Sequence, residues 1–180
     1  MLEELAYRFL EQGYTVRYLT GSGAVVLGGT VAALVWTEVG RLQRAPYFAL
    51  SALLLLASAV VESVQLAQPQ MAAAGLLWAI LLIDMLRLLV FGFLYGVVAM
   101  ARSQDAYGTR GYAVLAFAPV ANLILLFRPS KDDAAAGGAW AVALRGRRGV
   151  VCGLLATMAA FLAIEVQRRA GTKCGHTCRR

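Results

Sequence analysis

Apolar and polar positions alternate along this chain in long blocks. Residues 1–17 come first, with Leu2, Leu5, Ala6, Phe9 and Leu10 near i, i+3, i+4, i+7 spacing and Glu3, Glu4, Arg8 and Glu11 on the opposite side. That spacing predicts a short amphipathic helix, ended by Gly13, lying in a membrane interface or docking on a partner. Apolar blocks follow at about 18–36, 46–67, 74–101, 111–127 and 149–167, separated by charged or turn-forming stretches. Blocks of this length predict membrane-spanning helices, each needing about 20 apolar residues to cross a ~30 Å hydrocarbon core. The fold class expected is therefore all-α: a polytopic transmembrane helical bundle of five spans, or of four spans and one re-entrant segment. The block at 111–127 separates the two, because it is short and contains Pro119 and Asn122. Residues 168–180 form a basic polar tail.

The blocks differ in kind. Span 1 is rich in small residues, and Ala24, Gly28 and Ala32 fall four apart on one face. In lipid such a stripe permits close helix–helix approach, so span 1 should pack on another helix, either its own span 2 or a neighbouring chain. Span 2 carries Ser51, Ser58 and Ser63 and ends near Glu62. An uncharged turn, Gln68-Pro69-Gln70, leads to the longest block, in which Met71 to Ala101 holds only two charges, Asp84 and Arg87. Thirty-one helical residues would extend about 46 Å at 1.5 Å each, so this helix must tilt or project. A polar stretch from Arg102 to Arg110 precedes the block at 111–127. After it, Arg128 to Asp133 stops the apolar run, and Ala134 to Gly138 reads as a flexible linker.

Composition agrees with a membrane location. Of 180 residues 60% are hydrophobic and 15% charged, against roughly 45–50% and about 25% in soluble domains. The formal net charge of +7 could suggest nucleic acid, but the basic residues sit at the edges of apolar runs, where membrane proteins mark cytoplasmic loops. No nucleic-acid partner is expected. Arg145, Arg147 and Arg148, with Arg168 and Arg169, read as topology signals and as headgroup contacts to anionic lipid. The N-terminus lacks the basic region of a cleaved signal, so the first span reads as retained. The scarcity of Lys, only Lys131 and Lys173, together with the Ala, Leu and Arg bias suggests a bacterial inner membrane.

Orientation is balanced on Lys and Arg counts. The loops at 37–45 and 102–110 each carry two Arg and belong in the cytoplasm, with the uncharged turn at Gln68 outside. Five crossings then place the tail inside but export the basic loop 128–148. Four crossings with a re-entrant 111–127 return that loop to the cytoplasm and export the tail. Five are preferred, because they keep Cys174 and Cys178 in the reducing compartment.

Candidate chemistry is sparse. A single His, His176, excludes a bis-His haem and any HExxH zinc site. Cys174, His176 and Cys178 are the one metal-like motif, but their C-x-H-x-C spacing lacks a fourth ligand. No cofactor is expected. Asp84 and Arg87 share a helix face at i, i+3 and are costly in lipid, so they either pair structurally or serve a relay or a headgroup contact. Glu62 lies seven residues from Pro69 and Asp84 fifteen, which predicts a depth difference of about 12 Å. Pro119 predicts a kink, and Asn122 could hydrogen-bond across to another helix. Asp84, Glu62 and Asp105 are the carboxylates placed to act as acid or base, with no nucleophile–base pair beside them. The tyrosines and tryptophan at 7, 14, 18, 36, 47, 107 and 112 read as an interfacial aromatic belt.

The stretch Arg102-x-x-Asp105, followed by Gly111-Tyr112 and the Pro-containing run, resembles a bacterial inner-membrane family without assigned function, which implies no functional residue here. The expectation is a non-catalytic integral membrane subunit, a scaffold or accessory component among other membrane protein subunits. A small oligomeric transporter or channel using Glu62, Asp84, Arg87 and Asn122 is the alternative.

Overall fold

The computed structural model describes residues 1–130 and 143–177, with side chains to Arg169. Among the described residues all secondary structure is helical. The helices are α1 (Leu2–Glu11), α2 (Tyr14–Val35), α3 (Arg44–Glu62), α4 (Gln68–Ala73), α5 (Leu77–Tyr107), α6 (Pro119–Phe127) and α7 (Arg147–Thr177). Two 3-10 helices, Ser63–Ala67 and Gly111–Phe117, extend α3 and precede α6. Four helices, α2, α3, α5 and α7, are long and apolar enough to cross a membrane. The chain is a multi-pass membrane protein by that measure.

The four long helices stand in a row, α2 against α5, α5 against α3, α3 against α7. α2 and α5 run toward one end, α3 and α7 back from it. The end where α2 and α5 begin holds α1, α4 and the last turns of α3 and α7; it is called the terminal end below. The other holds Arg41, Arg44, Arg110, Arg128, Arg145, Arg147 and Arg148 and is called the basic end. Since neighbours cover each helix on few sides, only 17–28% of each apolar window is buried. The small-residue stripe explains the closest contact. Gly28, Gly29 and Ala32 are buried against α5 and Ala24 is partly buried. A Cβ on Gly28 would run into the Leu89 carbonyl oxygen, and one on Gly92 into that of Val25. Within the chain, span 1 thus packs on span 3 and not on span 2. The second half of the seam, Gly92 and Gly96, is the same four-residue spacing read from α5.

Three sequence expectations are corrected. Gln68-Pro69-Gln70 is not the turn. It opens α4, and the chain reverses at Gly75, where φ is 69°. α5 consequently starts at Leu77 and continues through the polar stretch to Tyr107, ending at Gly108 with φ 76°, a left-handed cap that favours glycine. Residues 111–127 are not one kinked helix. The backbone is extended at Ala118, with φ −107° and ψ 118°, and Pro119 begins α6, where its missing N–H costs nothing. Arg110 donates to the Trp36 and Thr37 carbonyls at the basic end, and the carbonyls of Leu125 and Arg128 meet Arg102 at that same end. The segment therefore enters and leaves the row at one end, with its tip near Gly29 and Tyr95.

Candidate functional site

Polar side chains gather at three levels. Nearest the terminal end is the predicted pair. Arg87 donates to Asp84 from Nε at 3.0 Å and from Nη2 at 2.7 Å. Its Nη1 donates to the Ser58 hydroxyl at 2.6 Å and reaches Glu62 at 3.5 Å. The predicted 12 Å offset between Glu62 and Asp84 is absent because residues 68–76 are a separate helix and turn. Asp84 is only seven residues into α5, about 10 Å, level with the last turn of α3. The cluster is thus shallow, and its side chains keep 11% (Arg87), 18% (Asp84) and 40% (Glu62) of their exposure. A cavity of about 360 Å³ adjoins it, bounded by α1, the start of α2 and the start of α5, with Arg17, Glu62 and Asp84 among its lining residues.

α1 is fixed there by a contact that the helical pattern did not predict. Glu3, assigned to the solvent side, accepts from the N–H groups of Leu77 at 3.2 Å and Trp78 at 3.4 Å. These are donors left over at the start of α5, where negative charge is also favoured.

Further along, Tyr47, one turn into α3 from the basic end, donates to Asn122 Oδ1 at 2.5 Å, and Tyr95 donates to the Ala116 carbonyl at 3.2 Å. Asn122 therefore does bond across to another helix. Tyr47 is 1% exposed, so it belongs to the interior and not to the aromatic belt.

At the basic end lies a cluster that sequence reasoning passed over as a polar loop. Arg102 and Ser103 are fully buried and Asp105 nearly so. Arg102 pairs with Asp105 and donates to the carbonyls of Leu125 (2.8 Å), Leu42 (3.4 Å) and Arg128. Ser130 donates to Asp105 at 2.6 Å, and the Arg128 guanidinium lies 4.2 Å over the Tyr107 ring. One guanidinium thus joins α5, the α2–α3 connection and the end of α6, where unpaired carbonyls favour a cation. The signal available was the i, i+3 spacing of Arg102 and Asp105, identical in size to that of Asp84 and Arg87. Asp105, weighed as an acid or base, is closed off by these contacts.

The remaining candidates lie apart. Arg147 and Arg148 open α7 at the basic end, with Arg145 just before them. Arg168 and Arg169 lie near its far end, where both pair with Glu165 at 2.9 and 2.8 Å. Cys174 and His176 fall on the backbone of α7, but their side chains lie outside the described ones, as do Cys178 and the linker at 134–138. Among the described residues no three His, Cys, Asp or Glu side chains gather to hold a metal. No family model matches the chain, and neither a curated protein nor a solved structure does.

Proposed function

We propose that the protein is a non-catalytic integral membrane subunit, a scaffold, assembly or accessory component of a larger membrane protein complex. The observation that carries this reading is how the two charge clusters are used. Arg102 is consumed by one carboxylate and three backbone carbonyls of its own chain. Arg87 is consumed by Asp84, Ser58 and Glu62. Groups of this kind fix helices in place; a proton relay instead strings several acidic or His residues across the spans. The row arrangement supports the same reading, because each long helix keeps broad apolar surface for lipid or for partner subunits.

Placed in a membrane, the protein crosses four times, and residues 111–127 are re-entrant from the basic end. That end faces the cytoplasm by the positive-inside rule, and α1 and the far end of α7 lie on the other side. α1 lies in the interface. The Arg-rich, Lys-poor composition favours a bacterial inner membrane.

Purification in mild detergent at native expression level tests the assignment. A stoichiometric membrane protein partner is expected, and a monodisperse monomer without a partner contradicts it. Proteoliposomes supply the opposing arm: solute flux abolished by Asp84→Asn or Arg87→Gln would favour a transporter.

A further inference from the structure

The cavity at the terminal end has charges of both signs that the fold leaves apart. Glu62 and Asp84 share one guanidinium, Arg87, so this wall carries one net negative charge. Glu62 is the less committed of the two, 40% exposed and 3.5 Å from its partner. Arg17 lines the same cavity from α2 and is exposed, with no ion pair to either carboxylate. No ion pair joins Arg17 to Glu62 or Asp84, so both signs are open to an occupant of the cavity. The occupant that satisfies both carries a cation and an anion a short distance apart. Beside Gln68 and the two tyrosines Tyr14 and Tyr18, the remaining lining is apolar, including Phe9, Leu10, Leu81 and Leu88. A small soluble zwitterion would leave them wet, whereas an acyl chain would cover them.

We propose that this cavity binds a membrane aminophospholipid, with its ammonium at Glu62 and Asp84 and its phosphate at Arg17. A primary ammonium has three N–H donors for carboxylate oxygens, which a quaternary ammonium lacks. An anionic lipid without an amine would set its charge against Glu62. Phosphatidylethanolamine therefore binds in preference to phosphatidylglycerol and phosphatidylcholine. The inference is independent of the assembly reading, since a monomer would hold the lipid equally well.

Native mass spectrometry of the full chain, offered equal amounts of the three lipids, tests it. Bound phosphatidylethanolamine should exceed phosphatidylglycerol by about fivefold or more, a free-energy difference near 1 kcal/mol. Arg17→Gln and Glu62→Gln should each bring it down to the phosphatidylglycerol level. Arg8→Gln, on the exposed side of α1, should leave it unchanged. Where Glu62→Gln lowers the melting temperature, Arg17→Gln decides, since Arg17 joins no ion pair among the described residues. Equal binding of phosphatidylglycerol, or phosphatidylethanolamine retained in Arg17→Gln, overturns the proposal. Displacement of the lipid by soluble phosphoethanolamine would overturn the lipid as the occupant and leave a free headgroup in its place.

Discussion

Asp84–Arg87 and Arg102–Asp105 are both i, i+3 ion pairs on α5, yet they live in different surroundings. The first keeps 18% and 11% exposure of its two side chains, the second 1% and 0%. Hydropathy along the chain draws attention to the first, because apolar residues flank it. It cannot register the second, whose burial comes from a distant segment folding back over it. The energetic consequences should differ accordingly. Asp105→Asn leaves Arg102 buried without its charge partner and should cost about 3–5 kcal/mol of stability. Asp84→Asn leaves Arg87 its contacts with Ser58 and Glu62 and should cost nearer ~1 kcal/mol, the scale of one hydrogen bond. Unfolding of both variants in mixed micelles compares them directly, and a larger loss for Asp84→Asn would reverse this ranking. Glu3 shows the same limit of one-dimensional reading: helical spacing put it on the solvent side, but its partner is seventy-odd residues away.

The long helices were legible at the scale of elements because lipid demands unbroken apolar runs. Their ends were not, since a turn signal such as Gln68-Pro69-Gln70 equally suits the first turn of a helix. The stripe at Ala24, Gly28 and Ala32 correctly announced a close contact. Its partner was hidden because Gly92 and Gly96 sit among bulky Phe, Leu and Tyr residues. A side chain at Gly92 must push α2 away, so Gly92→Val should cost at least about 1–3 kcal/mol. Gly23, which has nothing near it, should accept Ala with a gain of roughly 0.5–1 kcal/mol. Thermal unfolding of the two variants measures both, and a tolerated Gly92→Val would remove the α2–α5 seam from the account. Among the described residues one side-chain bond, Tyr47 to Asn122, ties the returning segment to α3. Asn122→Leu leaves the buried Tyr47 hydroxyl without that acceptor and should cost about 1–3 kcal/mol, read in the same assay.

For the whole molecule, the residue patterns announced a multi-pass membrane protein and the approximate number of helices but left two topologies balanced. The extended residue before Pro119 lets 111–127 return to the end it came from. On that observation rests the proposal of four crossings in place of the five expected, with the far end of α7 outside. The row of helices, the joint at Arg102 and the lipid cavity at the terminal end all depend on that arrangement. Single cysteines at exposed positions, introduced after Cys152, Cys174 and Cys178 are changed to Ser, test it with a membrane-impermeant maleimide on intact cells. Gly13→Cys and Gln70→Cys should label from outside, whereas Gly40→Cys, Gly111→Cys and Arg148→Cys should label only after the membrane is opened. Arg148→Cys labelling from outside together with Gly13→Cys and Gln70→Cys would mean that 111–127 crosses the membrane, and would contradict the four-crossing architecture.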